Sequence, residues 1–376
     1  MTLNLIDKNV IQTCKFLLDA LYLKHKQLYV DLFFYEKDVL FGDFSLEPLV
    51  LVGILQRQKN NKLRAQVQVF PMSGKFICTD FNYSLHRKRG KTFLTQKDGV
   101  WGILPEETPV MAKKVVVHRG DIVLDLATGS GMIAIFCADR AQRVIATDIN
   151  PKAIHYARFN AILNGVDDKI DFRVGDLFSA VKGEKFDLIV WNGPTVAVPE
   201  TSGKYPIYSD GGIDGISFTR RFVDSALDYL TPTGRLQWYD CAVGTEKMPV
   251  SMEYLQSQWN SKGLRVLYHS LTSDAVSLTK SFAIYEKYNL NQPSFKTPLS
   301  CQAVTKKEEE KWHVWLTSSG YTHFYYAFVE VRPATKFSLT FQFPDKDVRS
   351  DRYLTRFWLW MSYARIYRML KWCEKL

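Results

Sequence analysis

Between residues 120 and 191 the chain alternates short apolar runs with stretches of helical periodicity. Ile122 to Leu126, Val144 to Asp148, Ile170 to Val174 and Phe186 to Trp191 are five- or six-residue runs rich in β-branched and aromatic side chains, each closed by glycine or a polar residue. Met132 to Ala138 reads as a helix, and Asn150-Pro151 is an N-cap followed by proline at the first helical position. The alternation predicts a parallel sheet with crossover helices. Upstream, residues 6 to 26 read as an amphipathic helix with Val10, Cys14, Leu17, Leu18 and Leu21 on one face. Leu49 to Val52, Leu63 to Phe70 and Gly74 to Asp80 read as short strands, and Ala65 to Val69 alternates clearly. Beyond Gly244, Met252 to Lys262 reads as a helix, while Leu264 to Tyr268, Ser281 to Tyr285 and Phe324 to Val331 read as later strands. Asn289 to Glu310 is polar and reads as a linker or an exposed helix start. The expected division is 1–95, a mixed α and β accessory or substrate domain; 96–290, the catalytic domain built on the parallel sheet; and 291–376, an extension completing or covering that sheet.

The first strand runs through Asp125-Leu126-Ala127-Thr128-Gly129-Ser130-Gly131 into a helix. Glycines at such a turn let backbone approach a ligand, because a Cβ would block it. A carboxylate at the strand end repels a pyrophosphate and suits an ammonium or sulfonium ion. Asp148 lies 17 residues after Gly131 and is placed to take two ribose hydroxyls, a spacing compatible with a nicotinamide or an S-adenosylmethionine site. Asp176 could accept a hydrogen bond from an adenine amino group. Asp125, Asp148, Asp176 and Asn192 thus fall at four strand ends, the edge where parallel sheets bind ligands.

With these residues in place, the chain resembles the class I S-adenosylmethionine-dependent methyltransferases. It is most similar to the release-factor glutamine N-methyltransferases and ribosomal RNA guanine methylases, over roughly Val100 to Gly244. The likeness rests on Leu124 to Gly131, Ala146 to Ala153, Asn160 to Gly165, Gly175 to Phe178, Asp210 to Ile216 with Arg220 and Arg221, and Leu230 to Leu236. It implies an α/β, Rossmann-like class I methyltransferase sheet carrying a mixed α+β N-terminal domain and a C-terminal extension. It also implies S-adenosylmethionine as cofactor, bound by Asp125, Ala127, Thr128, Gly129, Gly131, Asp148, Ile149, Asp176, Leu177 and Asn192. The family's fourth motif is Asn-Pro-Pro-aromatic, whose Asn holds a planar amide or base while the ring stacks on it. This chain has Asn192-Gly193-Pro194-Thr195, keeping the Asn and losing the ring. Asn192, Pro194 and Thr195 are the catalytic candidates, with Tyr208 or Asp210 as proton acceptor. Tyr205, Trp101, Ile103, Glu106 and Glu107 are further candidates for the pocket wall. The mixed N-terminal part is unlike the helical bundle of a release-factor enzyme.

Composition bounds the rest. The chain has 376 residues, 46% of them apolar, ample for a core. No apolar run reaches the roughly 18–20 residues of a membrane span, and Met1 to Leu5 lacks a leader's basic flank and cleavage site; the expected location is the cytoplasm. Cys14, Cys78, Cys137, Cys241, Cys301 and Cys373 are scattered, so reduced thiols and no zinc are expected. The formal charge of +10 invites a nucleic-acid partner, with His86-Arg87-Lys88-Arg89 and the aromatic, arginine-rich tail Arg349 to Leu376 as best candidates. The basic residues are spread out and no RNA-binding module is visible, so nucleic acid is possible but not favoured. Losing the stacking ring while keeping Asn192 points to methylation of a nitrogen, less readily an oxygen, of a small or peptide-like molecule. The alternatives are a ribosomal RNA or protein-glutamine N-methyltransferase, and a cofactor-binding protein without turnover. Nothing in the sequence fixes an oligomeric state.

Overall fold

The computed structural model describes residues 3–35, 37–81, 98–100, 108–195, 197, 207–271, 276–277 and 306–344. The strand expected at Ser281 to Tyr285, the basic run at His86 to Arg89 and the tail from Arg349 lie outside them, as do Trp101, Ile103, Glu106, Glu107 and Tyr205.

The N-terminal part opens with helices α1 (Lys8–Lys24), α2 (Lys26–Phe33) and α3 (Glu47–Leu51). Asp7 caps α1 by accepting the N–H of Asn9 and Val10, and Ile11, Cys14, Leu18 and Leu21 bury its inner face. Leu49 to Val52 belongs to α3 and its C-cap, not to a strand. Its four-residue apolar run carries no period of its own, and Pro48 in the first turn favours helix entry. Strands β1 (Leu55–Arg57) and β2 (Leu63–Ala65) pair with each other, and β3 (Gln68–Met72) pairs with β4 (Lys75–Thr79). The expected single strand Leu63 to Phe70 is therefore split between two ribbons. The break falls after Gln66, whose N–H bond to Ile54 O is the last rung of the β1–β2 ladder, and Gln68 opens the pairing with β4.

The remainder forms one large sheet. Its elements are α4 (Thr108–Lys114), β5 (Ile122–Leu126), α5 (Met132–Cys137), β6 (Arg143–Asp148), α6 (Pro151–Leu163), β7 (Ile170–Val174), β8 (Phe186–Trp191), α7 (Ser217–Ala226), β9 (Leu230–Gly244), α8 (Val250–Trp259), β10 (Leu264–Ser270), β11 (Val276–Ser277), α9 (Lys306–Ser318), β12 (His323–Pro333) and β13 (Ser338–Gln342). The strand order is β13-β10-β12-β9-β8-β5-β6-β7, with β11 paired to β12. Strands β5 to β9 run parallel, and β12 inserts antiparallel between β9 and β10. The sheet is Rossmann-like, and strands from the C-terminal extension complete it. Among the described residues no helix is long and apolar enough to cross a membrane.

Two observations place the site. The order of strand addition reverses at β5, with β6 and β7 laid down on one side and β8 and β9 on the other, so a crevice opens above its carboxyl end. The N-terminal part shares one apolar core with α5 and α6, uniting Leu18, Tyr29 and Ile77 with Ala134, Ala157 and Phe159. Asn160 and Asn164 reinforce that contact. Asn160 Oδ1 accepts the Cys78 N–H at 2.8 Å and Asn164 Oδ1 accepts the Phe76 N–H at 3.0 Å. Their amide groups donate back to the carbonyls of the same two residues, so α6 substitutes for a neighbouring strand along β4. Cys14, Cys78, Cys137 and Cys241 are buried, and none of them forms a disulfide among the described residues.

Candidate active site

The glycine turn after β5 is held from below. Asp125 is 1% exposed, and its Oδ2 accepts the Thr128 hydroxyl at 2.6 Å and the Ala134 N–H at 3.0 Å. Its Oδ1 has no partner among the described residues. Burial pushes the carboxyl up to about 7, against the bonds from Thr128 and Ala134 and assisted by the nearby Asp148 charge. The turn requires left-handed backbone at Ala127 (φ 60°), Gly129 (φ 55°) and Gly131 (φ 80°). A Cβ on Gly131 would lie 2.8 Å from the Ala157 Cβ, so this glycine sets the approach of α6 to the turn. A Cβ on Gly129 would meet nothing within 4 Å, which leaves open space at the loop. Asn160, fully buried, donates to Ser130 O at 2.8 Å and ties the same loop to β4.

Asp148 ends β6 beside that opening. One oxygen accepts the Gly129 N–H at 2.9 Å, the other the Asn150 N–H at 2.8 Å. Burial raises its carboxyl from the usual range, opposed by the N–H groups of Asn150, Gly129 and Ile149. Each oxygen keeps acceptor capacity, as a vicinal diol requires. The next residue, Ile149, is 55% exposed and offers an apolar shelf, while Leu177 after β7 is half-buried with left-handed backbone (φ 46°). Asp176, preceding it, pairs with Arg221 at 2.6 Å through Oδ2. Asp148, the open glycine and the exposed isoleucine thus lie together at the carboxyl ends of β5 and β6, while Asp125 is buried beneath the turn.

The other half of the crevice lies past β8. Asn192 is half-buried, and its Nδ2 donates to the Thr108 hydroxyl at 3.3 Å, while no described residue donates to its Oδ1. Trp191 is fully buried, stacked on Phe222 with ring centroids 4.7 Å apart. Its indole lies beneath residue 193, where a Cβ would come within 2.1 Å of Nε1 and 2.4 Å of Cε2. Thr195 is 6% exposed, with the backbone of Gly211 and Gly215 packed against its main chain. Asp210 Oδ1 accepts the Gly212 N–H at 3.1 Å, and Tyr208 is half-buried. Arg220 pairs with Asp214 in this loop. Trp312 of α9 donates its indole N–H to Ile213 O at 3.1 Å.

Several of these groups had no signal of their own in the sequence. Thr108 and Trp312 reach the site from positions 84 and 99 residues away from their partners. Arg221 and Asn160 lay inside recognised segments, and the hydrogen bonds assign their roles.

Residues 100–256 match the family model of the methyltransferase small domain. A candidate protein N5-glutamine methyltransferase of Methanocaldococcus jannaschii is 34% identical over 150 residues, which are 39% of this chain and 75% of that protein. The ribosomal protein uL3 glutamine methyltransferase of Bradyrhizobium diazoefficiens is 37% identical over 30% of this chain and 39% of its own. A release factor glutamine methyltransferase of Cereibacter sphaeroides is 39% identical over 35% and 50% respectively. The chain thus spans half or less of the latter two. With three-quarters of the archaeal relative covered and the crevice built from the matched strands, the chain belongs to the class I S-adenosylmethionine-dependent methyltransferases.

Proposed function

We propose that this enzyme transfers a methyl group to an amide-like nitrogen in a protein, with Asn192 orienting the acceptor. The observation that carries this is the state of Asn192: its Nδ2 is engaged by Thr108, which leaves Oδ1 to accept a hydrogen bond at the end of β8. The names of the relatives support the same acceptor class, two of them glutamine methyltransferases of translation proteins. The missing proline at 193 is not a sign of a different substrate. Trp191 occupies the space that any side chain on residue 193 needs, so Gly193 follows from the packing beneath it. The lost ring at Thr195, on which the small-molecule reading rested, is a separate departure, and against that reading stand the protein substrates named for the relatives.

When bound, S-adenosylmethionine supplies a methyl already activated on sulfur. The protein's part is then positioning, which can contribute on the order of 7–11 kcal/mol. Asp148 fixes the ribose, and Asn192 Oδ1 accepts an acceptor N–H so that the nitrogen lone pair faces the methyl. An acceptor nitrogen that takes this methyl would shed one proton. Asp210 or Tyr208 in the adjoining loop would take it. Thr195, its main chain packed under that loop, and Pro194 shape the floor.

Tritiated S-adenosylmethionine incubated with the enzyme and separated protein, RNA and metabolite fractions tests the assignment. Label in protein is expected. Label confined to nuclease-sensitive material or to the metabolite fraction would refute it, as would binding of cofactor without transfer to any fraction.

A further inference from the structure

Asp80, directly after β4, has three partners. Its Oδ2 accepts the backbone N–H of Val100 at 2.8 Å and lies 2.7 Å from Lys152 Nζ; its Oδ1 accepts the Tyr156 hydroxyl at 2.8 Å. The carboxylate is only 21% exposed, Lys152 14% and Tyr156 fully buried, so the ion pair is weakly screened. Two residues before Val100, the carbonyl of Asp98 accepts the Asn150 Nδ2 at 2.8 Å. The 98–100 strap is thereby stitched to the first two turns of α6 on both sides of Gly99.

Asn150 is the second link. It is 6% exposed, and each of its polar groups named here has a partner. Its N–H holds Asp148 Oδ1, its Oδ1 caps α6 through the Lys152 N–H at 3.0 Å, and its Nδ2 holds the strap. The carboxylate of Asp80, the strap, Asn150 and Asp148 therefore form one connected network in which no member has slack.

We infer that Asp80 is a positioning residue of the cofactor site, through which the N-terminal β3–β4 ribbon sets the orientation of Asp148. It does not touch the cofactor. It fixes the strap and the start of α6 from which Asn150 orients the ribose-binding carboxylate. The N-terminal part is then a component of the methyl-donor site rather than an appended substrate domain. The inference rests on Asp148 binding the cofactor ribose.

The test is calorimetric binding of S-adenosylhomocysteine to the full-length chain well below its melting temperature. Asp80→Ala is expected to weaken binding on the order of tenfold, as the indirect loss of one charge-assisted hydrogen bond would. Asp80→Asn, which keeps one acceptor oxygen, and Lys152→Met should each weaken it by less, and they carry the test if the alanine variant does not fold. Lys75→Met is the control: it breaks the Lys75–Asp139 pair (2.9 Å) in the same ribbon and should lower the melting temperature without changing affinity. If the Asp80 and Lys152 variants bind within twofold of the parent while melting earlier, Asp80 is structural and the inference is overturned. Unchanged binding in Asp148→Ala would overturn it through its premise instead, which separates the two failures.

Discussion

The two halves of the crevice are built by different means. On the donor side, over β5 to β7, carboxylates and backbone are tied to one another within the two adjoining strand ends: Asp125, buried under the turn, to Thr128 and Ala134, and Asp148, beside the opening, to Gly129 and Asn150. On the acceptor side, past β8, the pieces come from distant parts of the chain. Asn192 leans on Thr108, Gly193 on Trp191, and the 210–215 loop on α9. A site whose ligand is constant can be written locally in sequence. A site that must choose its partner is assembled from whichever elements surround it.

If that contrast is right, donor and acceptor groups fail separately. Asp148→Ala removes charge-assisted bonds to the ribose, each worth about 1.5–3 kcal/mol, and should weaken S-adenosylhomocysteine binding on the order of a hundredfold by calorimetry. In the same experiment Asn192→Ala should bind almost normally while losing most turnover. A large affinity loss at Asn192, or none at Asp148, would erase the distinction.

The packing account of the acceptor motif is next in size. Gly193→Ala forces a Cβ into the Trp191 indole and should cost about 1–3 kcal/mol of stability, the usual cost of overpacking, read from denaturant unfolding. In a Trp191→Leu background the same substitution should cost far less. An equal cost in both would mean that Gly193 answers to something other than Trp191.

Protonation sharpens the donor side. Asp125 is raised from its ordinary value to about 7, chiefly by burial, so the native state holds this proton more tightly than the unfolded chain. Its contribution is present below about pH 4, where both states are protonated, declines as pH rises, and is lost above about 7. Without cofactor, Asp125→Asn should therefore flatten the fall in melting temperature between pH 5 and 8. Parallel curves for parent and variant would refute this. The smallest effect is expected at Ala127, which holds left-handed backbone at φ 60°. Ala127→Gly should stabilise the protein by at most about 1 kcal/mol, measured by thermal unfolding, whereas a loss would show that the methyl group is needed in the turn.

The same contrast explains what the sequence disclosed. Strands β5, β6 and β8 lie where their apolar runs predicted, because strands buried on both faces read as short continuous hydrophobic stretches, and the edge strand β7 shows instead as the alternation Ile170, Phe172 against Asp171, Arg173. The Asn150-Pro151 start of α6 was equally plain, since a cap and an N1 proline are local signals. The N-terminal ribbons were less legible: Leu49 to Val52 lacked a period, and alternation from Ala65 to Val69 spanned a junction between two ribbons. Asp80 closed an expected strand and Thr108 ended the stretch before the sheet, but neither they nor Trp312 carried a signal for their partners. Their roles arise from contacts 76 to 99 residues long, which only the folded chain creates.

The central claim, transfer to an amide-like nitrogen of a protein under the direction of Asn192, is tested most directly by the chemical form of the transferred label. Protein methylated with tritiated S-adenosylmethionine, freed of nucleic acid and hydrolysed in acid, should release labelled methylamine, and the Asn192→Ala enzyme should yield almost none. Label released instead as methanol by mild base, or methylamine formed equally by the Asn192→Ala enzyme, would contradict it.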